Sequence, residues 1–217
     1  MRKIAAVVLV YNGEKFIKPH LDMLMKQIDR IVVVIPKKPF KGYVKYLGLT
    51  PDKTAEIVSK YPVEILSYDF VEGDAARNFP DAYNFGLKKV RNYDIATVID
   101  VEMLLTDEDF KKFIDFIKET DAEYYSLDHS KYSPDYHLDW DMDHGLMDQV
   151  ENIPIAMNPQ REMLLYRKID AKALPIEGIV FHHFRNWKSD IIPKGDFISA
   201  PQEIKDKMFE WKKQLYA

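Results

Sequence analysis

Thr97-Val98-Ile99-Asp100-Val101-Glu102 decides the fold, because β-branched residues lead into an acidic pair where a buried strand runs out. The side-chain period of two in a strand puts Asp100 and Glu102 on one face, and a kink after the strand would splay them around a single cation. Carboxylates so placed suit a hard divalent cation held against a phosphate, which is nucleotide-diphosphate chemistry. The plainer alternative is a solvated strand end. Thr106-Asp107-Glu108-Asp109 just downstream has the pattern of a helix start, and Glu102 would then be a polar approach to it.

Upstream of this stretch, residues 4–10 read as a buried strand. Phe16, Ile17, Leu21, Leu24 and Met25 recur at helical spacing, and residues 31–35 supply a second β-branched run, giving a β-α-β opening. Pro36-Lys37-Lys38-Pro39-Phe40-Lys41-Gly42 is basic and broken by proline, so it reads as a projecting loop. A short helix is expected over 54–60 with Asp52 near its start, a third strand over 63–66, a helix over 81–90, and a fourth strand over 95–99 that delivers Asp100. This alternation predicts an α/β fold with a mainly parallel central sheet flanked by helices, and ligands at the strands' C-terminal edge.

Downstream, a helix over 109–118 is followed by strand-like runs at 123–127 and 163–166. Between those runs lies 135–148, rich in Asp and His, which reads as a long functional loop or a surface excursion. Residues 202–216 have a helical pattern with Phe209 and Trp211 and are expected to pack back on the domain. With no internal repeat or linker, one domain over 1–217 is expected, made of a first half (1–105) and a second half (106–217).

Composition narrows the chemistry. A chain of 217 residues, 47% hydrophobic, can bury a substantial core without staples. The absence of cysteine excludes disulfides, thiolate metal ligands and a cysteine nucleophile, and it fits a reducing, cytoplasmic setting. The first apolar run is too short to span a bilayer and lacks a small-residue cleavage site, so neither a signal peptide nor an integral membrane segment is expected. Lys and Arg number 31 against 35 Asp and Glu, a balance that argues against nucleic acid as a partner.

Other candidates gather at the same predicted edge. In Val10-Tyr11-Asn12-Gly13-Glu14 the tyrosine offers a face to a base, Asn12 offers donor and acceptor, and Gly13 lets backbone approach a ligand. An ordinary turn in which Asn12 caps the helix is the alternative. Asp69, after Ser67-Tyr68, is placed to accept a hydrogen bond from a base N–H or to be a plain loop aspartate. Arg77 is placed either to neutralise a diphosphate or to form a surface ion pair, close to Asn78 and Asn84.

These stretches together resemble the family 2 glycosyltransferases, nucleotide-diphospho-sugar transferases of the GT-A fold. The resemblance is carried by Val10-Tyr11-Asn12-Gly13-Glu14-Lys15-Phe16-Ile17, Thr50-Pro51-Asp52-Lys53-Thr54, Asp81-Ala82-Tyr83-Asn84-Phe85-Gly86-Leu87 and Ile99-Asp100-Val101-Glu102, in the family's order over the first half. It implies nucleotide binding by the loop of Tyr11, Asn12 and Glu14 and by Asp69, and donor contacts from Arg77, Asn84 and Asp100. It also implies Mn2+ or Mg2+ at the Asp-X-Asp position, here Asp100-Val101-Glu102. His182, in Gly178-Ile179-Val180-Phe181-His182-His183, is the match to a histidine that approaches the metal or diphosphate in related enzymes. Buried, packed histidines beside Phe181, Phe184 and Trp187 are the alternative.

The chain departs from the family pattern at three points. Ile35-Pro36-Lys37-Lys38 replaces an acidic second-strand ending, Tyr83 stands where arginine is usual, and Glu102 replaces the second aspartate.

The activity implied is inverting transfer of a sugar from a nucleotide diphosphate sugar, a uridine one, to a hydroxyl of a glycan, lipid or protein. A carboxylate base on the acceptor side is then needed. Leu138-Asp139-Trp140-Asp141-Met142-Asp143-His144 supplies the candidates Asp141 and Asp143, with Trp140 as a face for the sugar. The rivals are a non-catalytic nucleotide-sugar or glycan-binding protein and a nucleotidyltransferase. The latter is disfavoured because the first-strand loop lacks a glycine-rich, arginine-bearing phosphate cradle.

Overall fold

The computed structural model describes residues 2–38, 50–70, 75–127, 153–161, 174–176, 179, 182–183, 202–203 and 206. Its first unit is β1 (Ile4–Leu9), α1 (Ile17–Leu24) and β2 (Arg30–Pro36), followed by α2 (Thr54–Val58) and β3 (Glu64–Tyr68). Then come α3 (Ala75–Leu87), β4 (Ile95–Thr97), β5 (Met103–Leu104) and α4 (Asp107–Glu119). β6 (Tyr124–Leu127), β7 (Ile153–Met157), β8 (Leu174–Ile176) and β9 (His182–His183) complete the order.

The central sheet has the order β3-β2-β1-β4-β7-β6-β8. β1 pairs in parallel with β2 and β4, β2 with β3, and β6 with β8, whereas β7 is antiparallel to both of its neighbours. The sheet is therefore mainly parallel, as expected, with β7 alone reversed among its described strands.

β1 is buried along its whole length because helices cover both sides of it, so its sequence is a continuous apolar run. Its alternate residues nevertheless serve different cores. Ile4, Ala6 and Val8 pack with Phe16, Ile17 and Leu21 around α1 and with Phe113, Ile114 and Ile117 of α4. Ala5, Val7 and Leu9 pack with Val32, Val34, Ala82, Tyr83 and Leu87 on the α3 side.

Several bounds differ from the sequence reading. α3 begins at Ala75, upstream of the expected residue 81, and carries Pro80 inside it. Met25 lies past the end of α1 and is 42% exposed, although it continues the helical spacing. β4 stops at Thr97, so it does not itself deliver Asp100. α4 starts where Thr106 caps it by accepting from the Asp109 N–H (3.1 Å), with three acidic residues in its first turn complementing the helix dipole. Residues 202–203 are helical, and Glu203 accepts from the Asp107 N–H at the same helix end (2.9 Å), which ties the closing segment to the domain. The expected strand over 163–166 and most of the closing helix lie outside the described residues.

Gly86 is where α3 meets the sheet most closely. A Cβ there would lie 2.4 Å from Val7 Cγ1 and 2.9 Å from Val34 Cγ2, and both valines are stiff and fully buried. Gly86→Ala should thus cost roughly 1–3 kcal/mol of overpacking, offset by about 1 kcal/mol of helix propensity. A lower urea midpoint with unchanged slope is the expected result; a midpoint at or above wild type would show that the helix can retreat from the sheet.

Candidate functional site

Because β1, β2, β3 and β4 run in parallel, the residues that follow them share the sheet's C-terminal edge. Tyr11, Lys37, Asp69 and Asp100 arrive there on four successive connections.

The loop after β1 is locked to the loop before α2. Asn12 adopts a left-handed conformation (φ 49°), which asparagine tolerates better than most residues. From it the side-chain amide donates to the Thr50 carbonyl (2.8 Å), while its oxygen accepts from the Asp52 N–H (3.0 Å). Asp52 in turn accepts from the N–H groups of Glu14 (3.0 Å) and Thr54 (2.8 Å). The Thr54 hydroxyl accepts from the Gly13 N–H (2.7 Å), and the Glu14 carboxylate accepts from the Lys53 N–H (3.1 Å).

Asn12 therefore does not cap α1, which begins with no side-chain cap. It shapes the loop, and Asp52 is the centre of that clamp. Asp52, expected near the start of α2, lies in a Pro-Asp-X-Thr turn signal whose bonds to the β1 loop no local pattern shows. Tyr11 is only 7% exposed, so its ring has little free face. Burial, and secondarily the charge of Asp52, raises its phenol pKa.

At the next two strand ends, Lys37 donates to Asp69 (2.6 Å), both side chains being largely exposed. The basic ending of β2 thus faces the candidate base-binding aspartate. An exposed pair of this kind contributes about 0–1 kcal/mol, so Asp69 can exchange its partner for a ligand at little cost. Tyr68 beside it packs on Phe70 and Phe85, with centroids 5.6 and 5.5 Å away.

Asp100 and Glu102 sit on a tight turn, not on a strand. The Met103 N–H donates to the Asp100 carbonyl (2.9 Å), so the alternation expected for an extended chain does not apply. The Tyr83 hydroxyl donates to Asp100 Oδ1 (2.9 Å) from a ring that is fully buried on the α3 side. Tyr83 is therefore bonded to the first carboxylate of the acidic pair. Asn84, next to it on α3, is half-buried.

On the opposite side of the sheet His20, from α1, is completely buried, with Nδ1 3.3 Å from the Met103 carbonyl. Burial lowers its pKa to about 4 against the raising effects of the Met103 carbonyl, Glu102 and Asp100, so the ring is neutral at pH 7. The neutral ring donates from Nδ1. Sequence reasoning missed this histidine, which stands at an apolar position of an amphipathic helix and gives no local signal.

β5 pairs with β9 in antiparallel register, Met103 opposite His183 and Leu104 opposite His182. The backbone of the late histidine pair thus returns to the strand that leaves the acidic turn. Among the described residues no three His, Asp or Glu side chains cluster as a complete metal site. Two carboxylates on one turn nevertheless fit Mg2+ or Mn2+, which are commonly held by one or two carboxylates with substrate phosphates and water. The side chains of Arg77 and His182, and Asp141 and Asp143 altogether, lie outside the described residues. No helix among the described residues is long and apolar enough to cross a membrane.

No protein-family model and no curated protein matches the chain. Among solved structures, the chain is similar to residues 1–349 of S. aureus TarS, at 24% identity over 58% of this chain and 35% of that one, with a TM-score of 0.39. It is also similar to glucosyl-3-phosphoglycerate synthase from Mycobacterium tuberculosis in complex with Mn2+, uridine diphosphate and glucosyl-3-phosphoglycerate. There the identity is 13% over 73% of this chain and 57% of that one, with a TM-score of 0.47. A third, 4-diphosphocytidyl-2C-methyl-D-erythritol synthase, is 14% identical over 58% and 59% of the two chains, with a TM-score of 0.41. The chain spans from about a third to three-fifths of the length of these three.

Proposed function

We propose that this chain is a divalent-metal-dependent glycosyltransferase that moves a sugar, with inversion, from a uridine diphosphate sugar to an acceptor hydroxyl. The observation that carries this reading is the Asp100–Met103 turn at the C-terminal edge of four parallel strands, its first carboxylate bonded to Tyr83. Asp100 and Glu102, with His182, would hold Mn2+ or Mg2+. When bound, the cation neutralises charge that builds on the departing diphosphate.

The chain's own groups do the rest. Asp69 exchanges Lys37 for a base N–H, and the clamp of Asn12, Glu14 and Asp52 fixes the loop beside it. Arg77 and Asn84 hold the diphosphate and sugar from α3. Asp141 or Asp143 takes the proton from the acceptor hydroxyl as it attacks the anomeric carbon. A single domain then serves both halves of the reaction, with residues 1–105 for the donor and 106–217 for the acceptor.

A non-catalytic nucleotide-sugar or glycan-binding protein is the second reading, favoured by Tyr83 in the usual arginine position and by the lysine-bearing ending of β2. Donor hydrolysis with and without manganese separates the two. A catalyst releases sugar only when the metal is present; a binder retains donor affinity and shows no turnover in either condition.

A further inference from the structure

We infer that His20 is a positioning residue for the acidic turn, its Nδ1–H donated to the Met103 carbonyl fixing the direction in which Asp100 and Glu102 are presented. The inference rests on the reading of that turn as a cation holder. It goes beyond that reading by assigning a task to a residue on the opposite face of the sheet.

The location of the bond favours a positioning role over a packing one. His20 is fully buried among apolar residues of α1, and among the described residues its Nε2 has no hydrogen-bond partner. An unsatisfied buried nitrogen is unfavourable, so leucine or methionine would serve packing better at this position. What histidine adds is one directed hydrogen bond, to the residue that both closes the Asp100 turn and opens β5.

Met103 is held at three points. Its N–H closes the turn, its carbonyl meets His20, and its strand pairs with β9. Tyr83 holds Asp100 from the α3 side. The turn is thus gripped from both faces of the sheet, and the α1 grip reaches its backbone through the His20 side chain. α1 also starts from the loop clamped by Asn12 and Asp52, so His20 couples the candidate nucleotide loop to the candidate metal turn through one short helix.

The test compares His20→Leu, which fills the space without a donor, with His20→Asn, whose side-chain amide restores a donor near the Nδ1 position. Two readouts are taken on the full chain: hydrogen exchange at the Met103 and Leu104 amides, and manganese affinity in the presence of uridine diphosphate. In His20→Leu, exchange at those amides should quicken and manganese affinity should fall, each by about tenfold, the worth of one ordinary hydrogen bond.

Thermal stability should hold or rise in the same variant, whereas His20→Asn should recover the affinity even if it is less stable. Unchanged exchange in His20→Leu overturns the inference, as does faster exchange with unaltered manganese affinity. Failure of the parent reading looks different. Wild type then binds no manganese, while His20→Leu still loosens Met103 and His20→Asn still restores it, which upholds the hold on the turn and discards the glycosyltransferase.

Discussion

In Asp100→Ala and Glu102→Ala, manganese-supported binding of a nucleotide diphosphate sugar is expected to be lost while the fold persists. Neither carboxylate belongs to the apolar core; Asp100 and Glu102 are half-buried on a turn whose backbone bond, from Met103 N–H to the Asp100 carbonyl, needs no side chain. Removing the Asp100 carboxylate deprives the Tyr83 hydroxyl of the acceptor it has in Asp100 Oδ1. Losing that bond to a charged acceptor costs about 1.5–3 kcal/mol, within the 5–15 kcal/mol typical of a domain. Tyr83→Phe gives the graded control: both carboxylates remain, but Asp100 loses an orienting partner, so manganese affinity should weaken roughly tenfold. Calorimetric titration of uridine and guanosine diphosphate sugars, with and without manganese, reads all three variants. Metal-dependent affinity that stays at the wild-type value in both alanine variants would remove the acidic turn from the site.

The second large effect is expected on the acceptor side. Replacing the true general base among Asp141 and Asp143 by Asn should leave donor affinity intact and slow sugar transfer by roughly 10²–10⁴-fold, the usual worth of a positioned base. The isosteric change removes proton acceptance while keeping volume and polarity, so donor binding and transfer separate cleanly. Transfer is followed with hydroxyl acceptors drawn from glycans, lipids and proteins. If both Asn variants transfer at the wild-type rate, the base lies outside this aspartate-rich stretch.

What was legible in the sequence is what depends on local pattern. The β1-α1-β2 opening follows from an apolar run, a 3.6-residue spacing and a second β-branched run, and Thr106-Asp107-Glu108-Asp109 announced the start of α4. Element ends were less legible. Pro80 reads as punctuation, yet it sits inside α3, and Val98 and Ile99 continue the strand-like run although the pairing of β4 stops at Thr97. Of the candidate site, the sequence order alone showed that Asp69 and Asp100 follow the third and fourth strands. The contacts that organise it join positions far apart in the chain: Asn12 to Asp52, Lys37 to Asp69, Tyr83 to Asp100 and His20 to Met103. No window of sequence contains both partners of such a bond, so its existence had to wait for the fold.

The reversed strand β7 has a bearing on how this chain must be made. β4, which leads to the acidic turn, is only three residues long, and its second neighbour is supplied by residues 153–157. Until those residues emerge during synthesis, the four strands laid down first end in a raw β4 margin, the kind of unpaired strand that recruits foreign chains. The four-strand unit is therefore not an autonomous module that the remainder merely decorates. Its growing edge is sealed from downstream, and Met103, which closes the Asp100 turn, gains its pairing with β9 later still in the chain. Completion of the sheet beside the acidic turn is thereby made a late event.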